Sequence, residues 1–197
     1  MTSIFSSLGR TVFVGFVFLA LIVYVLGGKL SDWEFLFIFR WLHVMCGVMW
    51  VGLLWYFNFV QIPSMVKLSD EQKPAISKVI APSALFWFRY AALFTVITGL
   101  IVAQLNGYLH QAFALKAPYR AIGFGMWIAL IMAFNVWFVI WPNQKRALGI
   151  ISVGADLKAK SARLATLVSR LNTSLSIPML FLMVAQSHNT TWFALSS

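Results

Sequence analysis

Charge is what this sequence has least of. Only 10% of its 197 residues are Asp, Glu, Lys or Arg, against roughly 25% in an ordinary soluble domain, and this excludes a chain folded around one core with a water-facing surface. Acidic residues are the scarcest: five Asp and Glu in all, with none inside the long apolar runs, so paired carboxylates for acid and base work within those runs are excluded. The single cysteine, Cys46, has no partner for a disulfide, and with no CxxCH motif covalent c-type haem is excluded. Also missing are a zinc-type ligand cluster, a Gly-rich phosphate loop and a catalytic Ser or Cys arrangement. Redox chemistry would therefore have to be carried by a cofactor.

What the sequence does have is apolar length. Residues of hydrophobic type make up 61% of it, arranged in runs of 18 or more that as helices reach across about 30 Å of hydrocarbon. Segments of roughly ten alternating residues, the mark of a membrane β-barrel, do not occur, which leaves helices as the spanning element. The fold class is thus an all-α integral membrane bundle, a single transmembrane domain over 1–197. Its five spans fall roughly at 11–26, 35–60, 84–105, 121–141 and 165–187. The first run ends in Gly27-Gly28-Lys29 without a small-x-small cleavage site, so it reads as a membrane helix rather than a signal peptide. Pro63 and Pro142 are expected to end the second and fourth spans, and Pro178 to kink the fifth at Ser174. The polar stretch from Ser64 to Pro82 reads as a loop with an interfacial turn or two, and Asn143 to Arg163 as the most basic loop.

The net charge of +10 lies mainly in the connections, which points to membrane topology and not to nucleic acid. Arg10, Lys67, Lys73, Lys78, Lys145, Arg146, Lys158, Lys160 and Arg163 fall on one side; Lys29, Lys116 and Arg120 fall on the other. With five spans, nine against three predicts a cytoplasmic amino terminus and an external carboxyl terminus. Trp33, Trp141 and Trp192 fit interfacial belts.

On this topology all three histidines fall in the outer half: His110 in a loop, His188 at the end of the fifth span, and His43 about 13 Å below Glu34 by helical rise. Imidazoles from different helices suit axial ligation of a b-type haem. A lone intramembrane histidine serves equally well as hydrogen-bonding glue between helices. Arg40, His43, Gly47, Trp50 and Leu54 recur at three- and four-residue spacing and share one helix face. Gly47 there leaves room for a flat ring or for a close neighbouring helix, and Arg40 can pair with a propionate. Arg89 and Arg170 fit lipid phosphate reached by snorkelling, and Asn135 and Asn172 fit interhelical hydrogen bonding.

These residues carry a family resemblance. Arg40-Trp41-Leu42-His43-Val44 with Gly47-Val48-Met49-Trp50-Val51-Gly52 resembles the second-span motif of the urate oxidase N-terminal family, the membrane domain of bacterial urate hydroxylases. Ala84-Leu85-Phe86-Trp87-Phe88-Arg89 with Thr98-Gly99, and Asn135-Val136-Trp137 with Trp141-Pro142-Asn143-Gln144-Lys145, are similar to its third and fourth spans. Ser169-Arg170-Leu171-Asn172-Thr173, Ser176-Ile177-Pro178-Met179 and His188 are similar to its last. In that family the membrane domain precedes a c-type cytochrome, and the pair is implicated in passing electrons from urate to the respiratory chain; this chain is short and has no CxxCH.

The resemblance implies a haem- or quinone-linked module of the bacterial inner membrane, working with other membrane subunits or a cytochrome c. His43 and His188 are the expected iron ligands, Arg40 the propionate partner, and Gly47, Trp50 and Phe181 the residues against the ring. Two other readings stand beside it: a cofactor-free accessory subunit of a larger membrane enzyme, and the membrane component of a urate-oxidising system. A transporter for a small anion is weaker, since neither an internal repeat nor a matched pair of broken helices is evident.

Overall fold

A computed structural model describes residues 5–27 and 35–186; all of the described secondary structure is helical. Five helices are long and apolar enough to cross a membrane: α1 (Leu8–Val25), α2 (Phe35–Met65), α3 (Lys73–Leu105), α5 (Arg120–Ala147) and α6 (Ala155–Ala185). A short α4 (Leu109–Phe113) lies between α3 and α5. The expected all-α membrane fold is what the chain adopts. Contacts group it into two units, Met1–Ile38 and Phe39–Ser197. The first contains α1, whose run of Phe, Val, Leu and Ile holds no acidic or basic side chain in its last turn.

In the second unit α6 packs along α5, and α3 packs on α5. The core is built at helical spacing: Trp50, Leu54 and Phe57 from α2, Leu85, Phe88 and Ala92 from α3, Met132, Val136 and Ile140 from α5. Phe57 meets Phe88 edge to face at 5.6 Å. Large apolar side chains such as Phe94, Phe124, Phe138 and Leu167 point outward, while polar ones point in. This inversion suits a solvent of hydrocarbon, where helices gain little from burying Leu and more from close packing and hydrogen bonds. Trp55 Nε1 donates to Ser176 Oγ at 2.9 Å and Asn58 Nδ2 to Ser169 Oγ at 2.8 Å, joining α2 to α6. Asn135 Nδ2 donates to Asn172 Oδ1 at 2.8 Å, and Asn172 Nδ2 to the Met132 carbonyl at 2.9 Å, joining α5 to α6. The interhelical role expected of both asparagines is the one they have. Such bonds contribute on average about 0.6 kcal/mol each. At the other end of the unit, a Cβ at Gly123 would overlap the Ala112 carbonyl oxygen, so glycine is what lets α4 lie against α5.

The helix ends differ from expectation. Proline does not stop α2 or α5, and the stretch expected to be a loop before Pro82 is already helical from Lys73. Each of these prolines follows a π-turn: Tyr56–Gln61 before Pro63, Ile76–Ile80 before Pro82, Asn135–Ile140 before Pro142. The residue just ahead of each proline donates to the carbonyl five back: Ile62 to Phe57, Ala81 to Ile76, Trp141 to Val136. Widening the helix there gives the pyrrolidine ring room that an α-turn would deny it. Side chains then satisfy nearby carbonyls, with Asn58 on Leu54, Ser83 on Val79 and Asn143 on Val139. As a result Asn143, Lys145 and Arg146 belong to α5, and the expected basic loop shrinks to the turn before α6. That helix runs unbroken through Pro178.

Candidate functional site

His43 sits on α2 beside α3, where its Nδ1 lies 2.9 Å from the Thr95 carbonyl oxygen. A carbonyl only accepts, so Nδ1 carries the proton; in the neutral ring the lone pair is then on Nε2. Thr98 Oγ1 stands 3.4 Å from the same Nδ1 and donates to the Phe94 carbonyl at 2.6 Å. Gly99 makes the arrangement possible. A Cβ built on it would sit 2.8 Å from His43 Cε1 and 3.0 Å from Nδ1, whereas Nε2 is the farther nitrogen at 3.7 Å. The Cε1 and Nδ1 atoms of the imidazole thus face Gly99 most closely, with Nδ1 held by the Thr95 carbonyl and Nε2 the farther nitrogen. Among the described residues no hydrogen bond is formed by Nε2.

The other residues expected around His43 are placed as follows. Arg40, exposed, reaches α3's end, where Nη2 donates to Asn106 Oδ1 at 3.4 Å. Tyr108 is close by and stacks on Tyr119 at 5.1 Å; burial pushes its phenol above the usual value of 10.0, with Arg40 pulling it back. Gly47 faces Thr95, whose methyl would lie 3.8 Å from an added Cβ. Of its two expected uses, close helix packing is the one this contact supports. Trp50 is fully buried in the core with its indole N–H unpartnered, so it packs protein rather than lining an open cleft. Phe181 is exposed, and His110 is exposed on α4. His188, the expected second ligand, lies outside the described residues, as do Trp33 and Trp192.

For an iron centre the fit is therefore partial. His43 has the tautomer and the carbonyl anchor typical of a metal-bound imidazole, and Arg40 is one turn from it on the same helix. Gly47 and Trp50 face protein. Among the described residues no group of three His, Cys, Asp or Glu gathers that could hold a metal ion by protein ligands alone.

A second polar centre lies on α3 at Arg89. It is 8% exposed, and its guanidinium carbon stands 3.3 Å from the centre of the Trp141 ring on α5. Its Nε and Nη1 are buried without a hydrogen-bond partner. Lys145 Nζ is 5.6 Å from the same ring. Snorkelling would leave Arg89 exposed, and it is not; Arg170 is exposed on α6. Sequence reasoning missed the Thr95 carbonyl, Gly99 and the Arg89–Trp141 stack. The small and hydroxylated face Thr95, Thr98, Gly99 was the available signal for the first two.

Residues 101–196 match the sequence model of the urate oxidase N-terminal family. The matched stretch covers the end of α3, α4, α5 and α6, and the resemblance drawn from motifs is thereby found independently in that part of the chain. The motif around His43 lies ahead of it. Neither among curated proteins nor among solved structures is there a match.

Proposed function

We propose that this chain is the membrane component of a urate-oxidising redox system, and the family match over residues 101–196 is the observation that carries this reading. Five apolar helices, in which the one acidic side chain is Asp156 in the first turn of α6, suit a component that holds a cofactor in the bilayer rather than one that performs acid–base chemistry itself. Within it, His43 is the residue proposed to ligate a b-type haem through Nε2. The Thr95 carbonyl supports that role by fixing the tautomer and steadying the ring. Arg40 would neutralise a propionate, and His188 is the proposed second ligand. A bound haem would supply one-electron transfer, with a quinone or a cytochrome c as partner.

The test has two arms. Membranes that contain the chain should show urate-dependent oxygen uptake that disappears when the chain is deleted and returns on complementation; unchanged uptake would remove it from urate oxidation. The purified full chain should give a reduced-minus-oxidised α-band that His43→Ala abolishes; a band untouched by the substitution would take His43 out of the ligand set. A second reading, the cofactor-free accessory subunit, is favoured by Trp50 and Gly47 facing protein. Stoichiometric copurification with a larger enzyme, without pigment in this chain, would select it.

A further inference from the structure

We propose that the groove between α3 and α5 is a binding site for an anionic phospholipid, with its headgroup phosphate on Arg89 and Lys145 and an acyl chain along the groove. Arg89 is the starting point. Arg89 is a residue only 8% exposed, and a guanidinium held there needs a counter-charge and acceptors for its buried N–H groups. Trp141 covers one face of the plane at 3.3 Å, but stacking uses the face and leaves the in-plane N–H edges unsatisfied. Nε and Nη1 accordingly stand buried and unpartnered. Protein carboxylates do not answer the need: the ion pair formed among the described residues is Lys73 with Asp70, at the start of α3. Lys145 adds a second positive charge 5.6 Å from the same indole. Two cations around one ring, with no acid beside them among the described residues, make a seat for an oxyanion.

The groove says what the anion is attached to. Arg89, Leu93 and Val96 share one face of α3, and Trp141, Trp137, Ala133 and Leu130 share one face of α5. The two faces meet at Arg89 over Trp141, and Tyr90 contacts Trp137 at 5.7 Å. Beyond them Leu93, Val96, Leu130, Ala133 and Trp137 line an apolar groove of about 380 Å³. A free inorganic anion would use the cationic end and leave this trough to no purpose. A lipid with a negative headgroup fills both at once. Trp141 and Lys145 stand at the basic end of α5, the level at which tryptophan and headgroups meet.

The test uses the full chain, delipidated in a neutral detergent, with native mass spectrometry and thermal unfolding as readouts. Phosphatidylglycerol should bind and raise the unfolding midpoint, phosphatidylcholine should bind at least roughly tenfold more weakly, and inorganic phosphate should give no comparable shift. Arg89→Gln should weaken phosphatidylglycerol binding by roughly tenfold or more, the loss of a charge-assisted hydrogen bond. Ala133→Trp, which fills the groove and leaves the cations in place, should do the same. If Arg89→Gln does not fold, Lys145→Gln serves, with a smaller loss expected. Equal binding of the two lipids, a full shift from phosphate alone, undiminished binding by the variants, or a dimer that Ala133→Trp breaks would each overturn the proposal.

Discussion

His43 is visible in the sequence because an ionisable side chain inside the 31-residue apolar helix α2 stands out from its surroundings. What it touches is not visible. Its partner is a backbone carbonyl 52 residues away, and every residue carries a carbonyl, so no residue type marks the acceptor. The glycine that lets the ring approach is a better clue. Gly99 lacks a side chain where one would need to share space with His43, and Gly99→Ala tests this directly. An added methyl 2.8 Å from Cε1 is closer than carbon atoms pack, so the ring must leave the Thr95 carbonyl or the helices must part. Overpacking of this kind costs about 1–3 kcal/mol. The variant should unfold at lower temperature, and its imidazole nitrogen resonances should lose the signature of a hydrogen-bonded Nδ1–H. Unaltered resonances would mean that the Thr95 bond does not hold the ring. Trp50 shows the opposite limit. Its position on the His43 face was legible, but whether that part of the face meets a cofactor or a neighbouring helix depends on the third dimension.

Hydropathy locates the helices of this chain well and their ends badly, for a physical reason. Apolar length reports which residues leave water, and that signal ran true for all five spans. The ends were inferred from proline, on the premise that its missing N–H and its ring stop an α-helix. Here the helix changes register before Pro63, Pro82 and Pro142, so the penalty is already met by a π-turn when each of these rings arrives. The signal that could have shown this is the polar side chain beside each one, Asn58, Ser83 and Asn143, placed to take up a local carbonyl. Proline's cost then depends on the turn that precedes it. Pro142→Ala should change stability by no more than about 1 kcal/mol, chiefly through the unfolded chain. Ala129→Pro, in the regular α-turns of the same helix, should cost about 3 kcal/mol or more. Thermal unfolding in detergent would rank the two, and comparable losses would show that the π-turn gives proline no relief.

At the scale of the whole molecule, the two polar centres acquire meaning only through the side of the membrane on which each lies. Arg40 reaches Asn106 at the far end of α3, so the His43 centre is near the 106–119 connection. Arg89 stacks on Trp141, next to Lys145 and Arg146, so the lipid centre is toward the 66–72 and 148–154 connections. The helix boundaries sharpen the charge argument. Lys67, Lys73 and Lys78 cluster around the turn from α2 to α3, and Lys145, Arg146, Lys158, Lys160 and Arg163 around the turn from α5 to α6, whereas the connection between α3 and α5 carries only Lys116, with Arg120 opening α5. Because basic residues are retained on the cytoplasmic side, we propose that the His43 centre faces the outer leaflet and the Arg89 centre the inner one, where anionic lipid would give a cationic seat its ligand. Alkaline phosphatase inserted in the 106–119 connection should be active, and inserted at 66–72 or 148–154 it should be inactive, with fluorescent-protein insertions giving the reverse. The opposite pattern would turn the molecule over, moving the histidine to the cytoplasmic face and leaving Arg89 facing the leaflet that offers it less negative charge.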